Sequence, residues 1–76
     1  MKTTIFDNNG ESFDRYTVII GYDVYGMSRT PDSPIGFNQF LGDISEFNTL
    51  DMGMQVELDD LPYNVQSAII TRKFGV

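Results

Sequence analysis

Tyr16-Thr17-Val18-Ile19-Ile20 places five β-branched or aromatic residues in succession. Branching at Cβ restricts the side-chain torsion and packs well on a pleated surface, so the run favours a strand. Successive strand residues point to opposite faces. A strand that is apolar at consecutive positions therefore has to be covered on both faces or lie centrally in a sheet. The chain has 76 residues, which is room for one domain, residues 1–76, with a small core. The rest of the sequence must supply neighbours for that strand.

Those neighbours can be read nearby. Thr3 to Asp7 is a short β-rich run, and Asn8-Asn9-Gly10 after it is a turn signal, because Asn and Gly tolerate positive φ. The second strand extends over Phe13 to Ile20, and Gly21-Tyr22-Asp23 offers a tight turn into a third strand, Val24 to Ser28. On that strand Tyr25 and Met27 share one face and Val24 and Gly26 the other, so one pair is expected in the core. Residues 29–36 hold two prolines with Asp32 and Ser33 between them and read as a loop. Ser33-Pro34 resembles a helix start, which predicts a helical turn through Phe37, Asn38, Gln39 and Phe40, closed by Gly42. Asp43 to Gly53 shows no period and reads as loop with one helical turn; Met54 to Leu58 alternates as a fourth short strand.

A helix closes the chain. Asp59-Asp60-Leu61-Pro62 supplies carboxylates and a first-turn proline, and Leu61, Val65, Ala68 and Ile69 then form one apolar stripe that continues to Arg72. Arg72 and Lys73 suit the negative end of the helix dipole, and Gly75 can end it. The expected fold class is α+β: a small antiparallel sheet of three to four strands covered by the C-terminal helix.

The charges are segregated. There are 5 basic and 11 acidic residues and no histidine, for a formal net charge of −6. From Thr30 through Thr71 the charged residues are Asp32, Asp43, Glu46, Asp51, Glu57, Asp59 and Asp60, with no lysine or arginine among them. A surface of one sign keeps a small domain dissolved, and it also steers association with a basic partner. Direct nucleic-acid binding would need a basic stripe that this chain lacks. No apolar run approaches the roughly 20 residues of a membrane span, and the start has no secretion signal, so the expectation is a soluble protein of the cytoplasm.

The catalytic inventory is poor. Cysteine and histidine are absent, which removes the strongest nucleophile and the commonest general base. Ser28 and Ser33 have no base in view, and no phosphate-cradling loop, EF-hand spacing or cofactor motif occurs. No enzyme, metal or cofactor is expected. Phe37 and Phe40, three apart on the predicted helical turn, would point inward and leave Asn38 and Gln39 facing solvent; alternatively the amides sit beside aromatic anchors at an interface.

Asp14-Arg15-Tyr16-Thr17-Val18, Asp23-Val24-Tyr25-Gly26-Met27-Ser28, Ser33-Pro34-Ile35-Gly36-Phe37-Asn38-Gln39 and Asp60-Leu61-Pro62 with Val65 together resemble a group of short proteins carried by bacteriophages and mobile elements. The likeness implies an inhibitor of host defence, of the kind that includes anti-CRISPR and antirestriction proteins, some of which present carboxylates where a nuclease expects phosphates. It assigns no residue. With the charge pattern beside it, the expectation is a cytoplasmic, non-catalytic protein that docks on a basic nucleic-acid-binding host protein. Asp43, Glu46, Asp51 and Glu57 are the expected contacts, with Asp32, Asn38 and Gln39 secondary. The alternative is a homodimer or larger homo-oligomer serving assembly, formed through an exposed strand edge and surplus aromatics.

Overall fold

The computed structural model describes residues 2–9, 15–28 and 37–74, with backbone only at 37–39 and 73–74. Five strands form one sheet: β1 (Thr3–Asp7), β2 (Tyr16–Ile20), β3 (Asp23–Met27), β4 (Phe37–Asp43) and β5 (Met54–Val56). Their spatial order is β4-β3-β2-β1-β5, with every neighbouring pair antiparallel. The helix α1 (Tyr63–Phe74) follows. Gly10, Phe13, Asp14, the 29–36 loop with Asp32 and its Ser33-Pro34 cap, and Gly75 lie outside the described residues.

The expected meander is present, and β2 is its central strand. All five of its residues are buried, as a strand apolar at consecutive positions requires. On one face Ile5, Tyr16, Val18, Ile20 and Met27 pack with Leu61, Val65 and Ile69 of the C-terminal stripe. On the other face Phe6, Ile19 and Val24 form a second cluster, against which Ile44 and Met52 pack. Val24 and Met27 are both fully buried, so each face of β3 contributes to a core where the sequence pointed to one. The segment after β4 supplies the second cover.

The turns follow local chemistry. Gly21 and Tyr22 join Ile20 to its partner Asp23 in a two-residue connection, with Gly21 at φ +64 and Tyr22 outside the positive-φ region. That is the type II′ pattern, whose twist matches the flanking strands. After β1, Asn9 takes φ +52 and its N–H donates to Asp7 Oδ1 at 2.8 Å.

Three expectations are corrected. Phe37 to Phe40 is not a helical turn but the start of β4, paired from Met27↔Phe37 to Asp23↔Asp43. Register irregularities between Val24 and Tyr25 and between Gly26 and Met27 leave Leu41 and Asn38 as extra residues on β4, and such bulges hide the period that would mark a strand. Phe40 is correspondingly 57% exposed rather than core. The sheet has five strands rather than three to four, since the bulged β4 could not be read as one. Finally, Asp59 and Asp60 do not cap α1. They belong to a separate 3-10 turn, Leu58–Asp60, and the Pro62 carbonyl accepts the first helical bonds, from the N–H groups of Val65 and Gln66 at 3.0 Å each.

Candidate partner-binding surface

The pairing register sorts the carboxylates. Thr3↔Ile20, Ile20↔Asp23 and Asp23↔Asp43 are partners in turn, so these four residues form a row across one end of the sheet. Asp23 and Asp43 stand directly opposite each other on adjacent strands, where like charges repel. Asp43 is also the N-cap of the 3-10 turn Ile44–Glu46: its Oδ1 accepts from the Ser45 N–H at 2.9 Å, and its own N–H donates to Glu46 Oε1 at 3.2 Å. The Ser45 backbone N–H, helped by the Ser45 side chain, holds the Asp43 carboxyl below its ordinary value. The Ile44 N–H donates to the Tyr22 carbonyl at 2.8 Å and fastens this corner to the β2–β3 turn.

Asp23, Asp43 and Glu46 are therefore brought together, all exposed. Asp23 was not among the sequence candidates, because only strand register reveals it as Asp43's neighbour. Asp51 and Glu57 are exposed as well, but they lie elsewhere. Asp51 closes the 3-10 turn Thr49–Asp51, two residues before Gly53, which is fixed against Asp7 at the far end of β1. That is about 13 Å along the strands from the Asp43 row. Glu57 follows β5 on the opposite edge of the sheet, about 19 Å across four strand spacings. Asn38 and Gln39 are on β4, with Gln39 opposite Gly26, and Asp32 is outside the described residues.

Two of the described cations make contacts away from these acids. Arg15 is taken by Asp7 through Nε to Oδ1 at 2.7 Å and Nη2 to Oδ2 at 3.2 Å, beside the Tyr16 ring. Arg72 extends over the Tyr25 ring, 4.8 Å from its centroid, and Tyr25 meets Phe40 edge-on at 5.7 Å. Among the described residues, Asp23, Asp43, Glu46, Asp51 and Glu57 form no ion pair within 4 Å.

Among the described residues no group of three or more acidic side chains is arranged to hold a metal ion. No described helix is long and apolar enough to cross a membrane. Exposed apolar side chains lie among the acids: Leu50 at 88% and Met54 at 75%, and also Tyr22 and Tyr63. The sequence matches no protein-family model, no curated protein and no solved structure.

Proposed function

We propose that the protein is a non-catalytic inhibitor of the phage type, which docks its acidic surface on a basic, nucleic-acid-binding protein of a host defence system. The observation that carries this reading is the row that sets Asp23 opposite Asp43 and beside Glu46, exposed and without an ion pair among the described residues. A fold gains nothing by opposing two carboxylates across a sheet; a cationic partner relieves the repulsion. Because Asp51 and Glu57 lie away from that corner, the partner meets a dispersed negative field, which raises the association rate more than it adds close contacts.

The test uses the whole chain immobilised against bacterial lysate at low and moderate salt. The expected result is retention of basic nucleic-acid-binding proteins that are released by added DNA or RNA, and loss of retention in an Asp23→Lys, Asp51→Lys, Glu57→Lys variant that spares the Asp43–Glu46 cap. Equal retention by the variant removes the electrostatic mechanism.

A homo-oligomer is the second reading, favoured by β4. This strand has β3 as its neighbour on one side and ends the strand order on the other, with Phe40 and Leu41 exposed on it. Sedimentation that shows self-association independent of salt supports this reading over the first.

A further inference from the structure

β5 ends at Val56, opposite Ile5, while β1 runs two residues further to Thr3. The Lys2 carbonyl accepts from the Gly21 N–H on the β2 side. Main-chain groups of successive strand residues point to alternate sides, so the Thr3 N–H and C=O are directed to the side that β5 has left. The Thr3 hydroxyl oxygen is buried and has no hydrogen-bond partner. Next to it lies a groove of about 560 Å³, walled by Val56, Leu58, Ile69 and Ile70, a size within the range of ligand-binding clefts. Ile70 is 43% exposed, beside Ile69, which is buried in the core.

Acids outnumber cations around this groove once the turn that follows Leu58 is included. Glu57 lines it, Asp59 and Asp60 are exposed in the turn that follows, and Lys2 is the one cation among the lining residues. We infer that the groove receives an extended segment of the basic partner, pairing by its main chain beside Thr3, setting an apolar side chain against Ile69 and Ile70, and directing arginine or lysine towards Glu57. This rests on the proposed function and names the element that the partner inserts. Strand addition suits the site because main-chain bonds give affinity while a pocket for alternate side chains gives specificity. An apolar anchor seated between charged contacts has the composition of a binding hot spot.

The probes are blocked pentapeptides titrated into the ¹⁵N-labelled whole protein and followed by NMR. Arg-Leu-Arg-Leu-Arg carries its leucines on one face and its arginines on the other. The expected result is saturable shifts of the Thr3, Val56 and Ile70 amide signals that weaken with salt. Glu-Leu-Glu-Leu-Glu and Arg-Ser-Arg-Ser-Arg should bind at least about tenfold more weakly, as should the arginine–leucine peptide to Ile70→Asp or Glu57→Lys protein. If Ile70→Asp loses its native circular dichroism, Glu57→Lys carries the same comparison. Shifts confined to the Asp43–Glu46 corner, equal binding of the acidic peptide, or no saturable binding overturns the inference. Lysate capture by Glu57→Lys and Ile70→Asp protein separates the two claims. If retention survives these variants and fails in the triple charge reversal, the groove is excluded and the inhibitor reading stands.

Discussion

The Gly53 N–H donates to the Asn8 side-chain oxygen at 3.1 Å, across 45 positions of sequence. Asn8 is buried. Its Nδ2 donates to Thr17 Oγ1 at 3.0 Å and its backbone N–H to the Arg15 carbonyl at 2.8 Å. One side chain thus ties the β1–β2 connection to the segment that covers the second face of the sheet. The approach is close enough that a Cβ on Gly53 would stand 2.0 Å from the Asp7 carbonyl oxygen and 2.7 Å from the Asn8 Cα. Both obstacles are backbone, so nothing flexible can give way.

Gly53→Ala should therefore cost about 1–3 kcal/mol in denaturant melts, the scale of a forced backbone shift. Asn8→Ala removes a satisfied buried amide and strands the Thr17 hydroxyl and the Gly53 N–H, and it should cost about 1–3 kcal/mol. An alanine at 53 that melts like the native protein would show that the covering segment is not held against Asp7.

The helix stripe makes a contrasting prediction. Val65 is fully buried and Ile69 is 1% exposed, while Ile70 next to it is 43% exposed. Ile69→Ala should cost about 2–5 kcal/mol through lost burial and the cavity left behind, against less than about 1 kcal/mol for Ile70→Ala. Equal losses at the two positions would mean that α1 packs in a different rotation.

Among the described residues, two carboxylates link stability to acid. The Arg15 hydrogen bond holds Asp7 below its ordinary value of 3.8 despite some desolvation, and the Ser45 N–H does the same for Asp43. A carboxyl whose folded pKa lies below its unfolded one binds more protons when unfolded. Its contribution is therefore complete above about 3.8 and is lost as pH falls through the lower, folded value. Asp7→Asn should reduce stability by about 0.5–1 kcal/mol at neutral pH and by little at the acid end of the window. A deficit that stays constant down to pH ~2 would place the Asp7 contribution in packing rather than ionisation.

Arg72 joins the helix end to the sheet by standing over Tyr25. Arg72→Gln should cost about 0.5–1 kcal/mol, the usual worth of a cation near an exposed ring. In a Tyr25→Leu background the same substitution should cost less, by the worth of the ring contact. A double-mutant cycle measures that coupling.

How much of this could be read beforehand depended on whether the signal was local. The β2 run, the Gly21 turn and the Leu61–Val65–Ile69 stripe were legible because composition and period lie within a few residues of each other. β4 was not legible: its extra residues at Asn38 and Leu41 break the alternation, and the Phe37–Phe40 spacing of three imitates a helix. The Asn8–Gly53 clamp and the Asp23–Asp43 opposition join residues 45 and 20 positions apart, so only the completed sheet reveals them. Carboxylates before a proline suit a helix start, so Asp59 and Asp60 read from the sequence as the beginning of α1. The chain instead closes a separate turn in which the Glu57 N–H donates to the Asp60 carboxylate at 3.2 Å. The site candidates Asp43, Glu46, Asp51 and Glu57 share only charge sign in the sequence; the fold sets Asp43 and Glu46 in one 3-10 turn and Asp51 and Glu57 away from it.

The opposed carboxylates allow stability and binding to be separated. Asp23 has repulsion from Asp43 across the strands and no ion pair among the described residues, so Asp23→Asn should stabilise the fold by about 0.2–1 kcal/mol. Asp43→Asn removes the same repulsion but also weakens the charge-assisted bond from the Ser45 N–H; the two effects oppose each other, leaving it the less stable of the two variants. If the corner exists to meet a basic partner, both variants should slow association with that partner and flatten its salt dependence, although they move stability differently. A thermal melt beside a stopped-flow association series measures the two quantities independently. Asp23→Asn that is more stable yet binds more slowly would mark the carboxylate as kept for its partner, and Asp23→Asn with an unchanged association rate would assign the opposition to tolerance within the fold.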